Sequence, residues 1–180
     1  MSYGTIILER EDGVVTLTLN RPERLNALNV RLLDEMIVAL EDANRDDEVK
    51  ALIITGVGRG FCSGADLAES ESGADHNRPG ITRSLRIEPI VMFGRLALRL
   101  RGINKPTIAA VNGIASGGGL AIALCCDIRI ASENARFSSI FIRRGLAPDT
   151  GVTYLLPRVV GTAKALELMW TGEIIDAREA

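Results

Sequence analysis

Aromatic residues make up only 4% of this 180-residue chain, so a core drawn from its 47% hydrophobic content must be aliphatic, packed from Ile, Leu, Val and Ala. An excess of one charge is also missing. Twenty-one basic and 23 acidic residues leave a net charge of −2 with the signs interspersed, and no basic patch marks a nucleic-acid partner. The single histidine, His76, sits in a polar segment and is a poor metal ligand. Three cysteines, Cys62, Cys125 and Cys126, have no metal-ligand spacing and read as reduced core residues of a cytoplasmic protein. The first residues, MSYGTIILERED, lack a basic segment followed by a long apolar run, so no secretory signal is read there. A continuous membrane span is lacking as well. The 21 residues between Lys105 and Asp127 carry no charge and would be long enough, but Pro106, Asn112, Gly113, Ser116 and Gly117-Gly118-Gly119 interrupt them.

That interrupted stretch is the one around which the chain is organised. It predicts a buried strand over Thr107 to Val111, a tight glycine loop, and a buried helix from Gly118 or Gly119, both elements covered on all faces. The glycines have two readings. They bring bare main-chain N–H groups to a helix N-terminus, where negative charge is held, or they only let helix and strand pack closely. Upstream, Thr5 to Glu9 and Val14 to Leu19 flank Glu11-Asp12-Gly13 as a hairpin. Asn29 is placed to cap a helix whose apolar face is Leu33, Met36, Ile37 and Leu40. Val49 to Thr55 then reads as a strand parallel to the second, joined through that helix. A second glycine-bearing loop, residues 56 to 70, follows. Residues 70 to 89 read as a long polar loop or lid, and Ile90 to Leu100 as a helix. Beyond Asp127 come a short strand, Ile128 to Ala131, a turn over Asn134 to Phe137, and an apolar stretch, Phe137 to Ile142. Helical pieces over Thr153 to Val160 and Ala163 to Trp170 complete the series, and a further helix is expected to begin after Gly172. Residues 1–180 are read as one α/β domain.

Five spaced motifs carry more than this. They are Asn20-Arg21-Pro22 with Leu25-Asn26-Ala27-Leu28, and Gly60-Phe61-Cys62-Ser63-Gly64-Ala65-Asp66-Leu67. Next come Lys105 to Gly113 with Gly117-Gly118-Gly119, then Cys126-Asp127, and Gly145-Leu146-Ala147-Pro148-Asp149 with Leu156-Pro157-Arg158. In this order they resemble the crotonase superfamily, the enoyl-CoA hydratase/isomerase group. The resemblance implies a spiral of ββα units, usually assembled as a homotrimer or dimer of trimers, with a C-terminal helical part that this chain does not include. It implies an acyl-CoA thioester as substrate and no cofactor beyond that coenzyme A. The main-chain N–H groups of Ala65 and Gly118 would hold the enolate oxygen. Arg24, Leu25 and Ala27 would meet the CoA end, with Arg24 near phosphate or simply a solvated surface arginine. Ser63, Asp66, Leu67, Gly117, Ala121 and Phe141 would line the substrate.

Two positions depart from the family's hydratases, which add water with two glutamates. Those positions are Ala121 and Phe141 here, and neither side chain transfers a proton. One carboxylate remains in the region, Asp149, which resembles the acid/base of the family's double-bond isomerases. Burial among Phe137, Phe141 and Leu146 would favour its protonated form. The alternative for Asp149 is a helix N-cap; Asp66 is the reserve acid, with a cap as its own alternative. Three functions stay open at this point: an enoyl-CoA isomerase, a hydratase or related enolate chemistry using another acid, and a catalytically silent acyl-CoA-binding subunit.

Overall fold

The computed structural model describes residues 3–68 and 88–180, the side chains of 88–91 excepted. The hairpin forms as expected, β1 (Ile6–Glu11) pairing antiparallel with β2 (Val14–Leu19). Helix α1 (Val30–Arg45) begins at Asn29, whose side chain accepts from the Leu32 N–H at 2.9 Å. Its buried face includes Leu33, Met36, Ile37 and Leu40, the residues spaced for it in the sequence. β3 (Ala51–Gly56) lies parallel to β2, so the α1 connection is a parallel crossover.

From β3 onward the chain repeats one step. Each turn adds a strand to a five-stranded sheet and the next strand to a second sheet. Thus β3, β5 (Thr107–Val111) and β7 (Ile128–Ala131) run parallel in the first. β4 (Gly60–Cys62), β6 (Ile114–Ser116) and β8 (Arg136–Ser138) run parallel in the second. Helix α2 (Glu88–Arg101) follows β4, and α3 (Gly118–Cys125) follows β6. This is the ββα spiral. After β8 come a 3-10 turn (Ile140–Arg144), α4 (Val152–Val160) and α5 (Thr162–Thr171).

Three expectations need correction. The segment after Gly172 is not a helix: Ile174–Asp176 forms β9, antiparallel to β8, because Ile175 can close the core opposite Phe137. The expected loop over 70–89 falls, up to residue 87, outside the described residues, as does His76, while residues 88 and 89 already belong to α2. Finally, α3 is buried on every face, but β5 is not. Only Thr107, Ala109 and Val111 are buried; Ile108 and Ala110 face the other side of the sheet beside the exposed Ile128 and Ile130. A pentapeptide without a charged residue does not reveal which of its two faces is covered.

The three cysteines are free and buried, and burial pushes the Cys62 and Cys126 thiols up to about 12, so they are packing groups rather than nucleophiles. No helix among the described residues is long and apolar enough to cross a membrane.

The start of the chain is pinned by one carboxylate. Glu35 of α1 accepts from the Thr5 N–H and hydroxyl at 2.7 Å each, and from the Gly4 N–H and Arg31. Burial alone would raise its pKa, but these donors outweigh that and hold it at about 2. A carboxylate held lower in the folded state stabilises the fold above its unfolded pKa, and that contribution is lost as the pH falls through its folded value. Wild-type stability should therefore fall between about pH 4.5 and pH 2. Glu35→Gln should lack this acid limb and be roughly 1–2 kcal/mol less stable at pH 7, a figure kept modest by solvent screening at this edge. Urea titrations across that pH range check both statements.

Candidate active site

Two turns meet at the centre of the spiral. The first follows β4. Leu28 donates its N–H to the Gly64 carbonyl at 2.7 Å, and its own carbonyl accepts from the Asp66 N–H at 2.9 Å. In such a parallel bridge the residue between, Ala65, turns its own N–H away from Leu28. That N–H has no main-chain acceptor among the described residues, and Ala65 is exposed. The second turn precedes α3. Gly117 has φ +52°, a backbone state in which a side chain is strained, and Gly118 is the first helical residue, so its N–H has no partner within the helix.

The two turns touch. A Cβ placed on Gly64, whose φ is +99°, would lie 2.9 Å from the Ser116 carbonyl oxygen and 3.5 Å from the Gly118 nitrogen. One on Gly118 would come 2.8 Å from Leu28 Cδ1 and 3.6 Å from Phe93 Cε1. One on Gly119 would sit 2.0 Å from the Cys62 carbonyl oxygen. Both readings of the glycine triplet therefore hold, each for a different residue. Gly119 permits close packing of α3 on β4, and Gly118 brings an N–H with no main-chain acceptor among the described residues beside the Gly64-Ala65 turn. Two such N–H groups at a turn and a helix N-terminus can hold an oxyanion.

The walls are apolar where proton-transfer groups stand in the family's hydratases. Ala121 is fully buried and Phe141 is buried, its Cζ 3.9 Å from the Cβ position of Gly117. Gly117 itself donates to the Ser138 carbonyl at 3.0 Å. Of the other expected lining residues, Ala27 is buried, Leu25 and Ser63 are half-buried, and Arg24 and Leu67 are exposed. Ser63 is tied to this neighbouring loop twice, N–H to the Leu25 carbonyl and hydroxyl to the Arg24 carbonyl.

The two candidate acids fare differently. Asp149 is exposed, at the end of an exposed run with Arg143, Arg144 and Leu146, between half-buried Pro148 and buried Thr150. The apolar enclosure by Phe137, Phe141 and Leu146 is absent, because the chain leaves the core at Gly145, which adopts φ +67°. Nor does Asp149 cap α4: the cap residue is Gly151, and the Asp149 carboxylate accepts instead from the Thr150 hydroxyl at 2.8 Å. Its loop still flanks the site. Phe93 of α2 reaches Gly118, and Ala97, one turn on, is 3.9 Å from the Cβ position of Gly151. Asp66 stands directly before helical Leu67 and Ala68, the position of a cap, and is not an accessible acid. Its buried carboxylate is paired with Arg21 at 2.7 Å.

Asn26 was quoted only as part of a motif, yet it knits the site together. Fully buried with φ +56°, it accepts from the Arg21 N–H at 2.8 Å and donates to the Val57 and Gly60 carbonyls at 3.0 and 2.8 Å. The available signal was its type: asparagine tolerates a left-handed backbone and offers both a donor and an acceptor. Asn26→Ala removes a partner from three main-chain groups, of which the Gly60 carbonyl keeps the Asn112 amide at 3.2 Å, and should cost about 2–3 kcal/mol in chemical denaturation.

An apolar cavity of about 400 Å³, lined by Leu120, Leu124, Phe137, Leu156 and Leu168, lies against another face of α3 and contains neither turn. It is distinct from the site.

The sequence profile of the family described as enoyl-CoA hydratase/isomerase matches residues 9–180. Among curated relatives, 1,2-epoxyphenylacetyl-CoA isomerase of Escherichia coli K12 is 42% identical over 175 residues, covering 97% of this chain and 65% of that protein. Crotonyl-CoA hydratase of Syntrophomonas wolfei is 40% identical over 182 residues, covering 100% of this chain and 66% of its own length. The crystal structure of an enoyl-CoA hydratase from Bacillus anthracis superposes with a TM-score of 0.89 at 34% identity, covering 98% of this chain and 66% of that one. The chain thus spans about two thirds of the length of these relatives.

Proposed function

Since the chain belongs to the enoyl-CoA hydratase/isomerase family, we propose that it binds an acyl-CoA thioester and moves a double bond along the acyl chain. The observation that carries this reading is the meeting of the two turns, on which the Ala65 and Gly118 N–H groups have no main-chain acceptor among the described residues. A thioester carbonyl oxygen seated between them gains negative charge on enolisation, and fixed amide dipoles stabilise that charge without reorganising. In a 3-enoyl-CoA, the Asp149 carboxylate takes a proton from C2. The electron pair delocalises onto the thioester oxygen as a dienolate, and the same carboxyl group returns the proton at C4, leaving a 2-enoyl-CoA. Atoms and charge balance with no further reactant, and coenzyme A enters only as part of the substrate.

Isomerisation is favoured over hydration because Ala121 and Phe141 supply neither a base for water nor an acid for the α-carbon. The exposure of Asp149 favours the other reading, a chain that holds acyl-CoA without turning it over. Assay against 2-enoyl-, 3-enoyl- and dienoyl-CoA thioesters of several lengths separates them. Double-bond migration without hydration supports the isomerase, and binding with no turnover supports the silent subunit. The homotrimer belongs to the same proposal and is checked by light scattering.

A further inference from the structure

Asp66 follows Ala65 directly, and its carboxylate is 5% exposed. A buried negative charge one residue from an oxyanion donor would oppose an enolate forming there. Arg21 answers that charge. Its side chain is 11% exposed, and among the described residues its fork reaches Asp66 Oδ2 at 2.7 Å and the Ala27 carbonyl at 2.5 Å. Ala27 adjoins Leu28, the residue whose N–H and carbonyl bracket Ala65. The guanidinium therefore closes a ring through Ala27, Leu28, Asp66 and back to itself, and Ala65 lies in the adjoining bridge that shares Leu28 and Asp66 with it. The other end of Arg21 is fixed too, since its N–H donates to Asn26 and its carbonyl accepts from Arg24 and Asn26.

We propose that Arg21 and Asp66 form a positioning pair that sets the direction of the Ala65 N–H and neutralises the carboxylate beside it. The inference rests on reading Ala65 and Gly118 as oxyanion donors. It gives Arg21 a part in the reaction without contact with the substrate, and it removes Asp66 from the candidate acids. The pair's low exposure keeps it in one geometry with little screening by salt. A lysine cannot replace it fully, because a point charge meets one of the two acceptors but does not match the fork.

The test combines kinetics with the C=O stretching frequency of bound butyryl-CoA, a saturated probe that does not react. Wild type should lower that frequency relative to free butyryl-CoA. Arg21→Met should lower it less and reduce kcat by about 100-fold with KM changed less than about threefold, the size expected for a misplaced donor. Arg21→Lys should fall between. Asp127→Asn is the control for stability alone. Asp127 sits beyond the far end of α3 and holds Thr107 by its N–H and hydroxyl at 2.9 and 2.8 Å. That variant should lose stability but keep the wild-type frequency and kcat. If Arg21→Met and Arg21→Lys both keep the wild-type frequency and kcat, the positioning pair is wrong. If wild type binds butyryl-CoA with no frequency change, the donor reading fails and takes this inference with it. Should Arg21→Met not fold, Arg21→Lys carries the same comparison.

Discussion

Alanine at position 119 is expected to cost about 3 kcal/mol or more, a fall in Tm of roughly 6–12 °C for a chain of this size. The added Cβ would sit 2.0 Å from the Cys62 carbonyl oxygen and 2.8 Å from its carbon, and backbone cannot swing aside as a side-chain tip can. The effect must also overcome the roughly 1 kcal/mol by which alanine is better than glycine inside a helix. Gly94 supplies the contrast. It lies in α2, and nothing is within 4 Å of its Cβ position. Gly94→Ala should therefore stabilise by about 0.5–1 kcal/mol. The two substitutions are chemically identical and should carry opposite signs. Thermal and urea unfolding of both variants check this; equal shifts would mean that α3 does not press on β4. Where Gly119→Ala still folds, α3 must move off β4, and the distance between the Gly118 and Ala65 N–H groups grows. Activity should then fall further than the loss of folded protein explains.

The second large effect is chemical. Asp149→Asn should abolish double-bond migration, with a loss of about 100- to 10,000-fold in kcat, while acyl-CoA still binds. The substitution keeps size and polarity, and because Asp149 is exposed and, among the described residues, its carboxylate accepts only from the Thr150 hydroxyl, the fold should be insensitive to it. That separation makes the measurement clean. Stability should change by less than about 0.5 kcal/mol, as for other exposed sites. A spectrophotometric assay on a 3-enoyl-CoA reads the rate. Proton exchange at C2 in deuterated water tells whether enolisation itself is lost. If migration persists at the wild-type rate, the proton is carried by another group and the isomerase assignment to Asp149 is wrong.

The site's ingredients were present in the linear chain unevenly. Helix α1 was legible to its cap because Asn29 and the spacing of Leu33, Met36, Ile37 and Leu40 are local signals within one element. β5 and β7 matched their predicted spans for the same reason. The end of the chain was misread because Ile174–Asp176 becomes a strand only by pairing with β8, some 36 residues earlier in sequence. Asp149 was misplaced because burial depends on where the chain turns after Gly145, not on the apolar residues that precede it. The ion pair of Asp66 was not legible for a related reason. Its partner, Arg21, is 45 residues away, and no periodicity links a loop residue to a distant one.

By itself the sequence determined the family, the order and type of most elements, and the identity of the two glycine-bearing turns, because each is written in contiguous residues. It also determined that glutamate is missing from positions 121 and 141. Only the tertiary structure decided that Gly119 packs while Gly118 presents its N–H, that Ala65 turns away from Leu28, and that Asp66 is neutralised by Arg21. Those are questions of direction and distance between segments far apart in the chain. A main-chain N–H carries no side-chain signature, so nothing short of the folded backbone could say where it points.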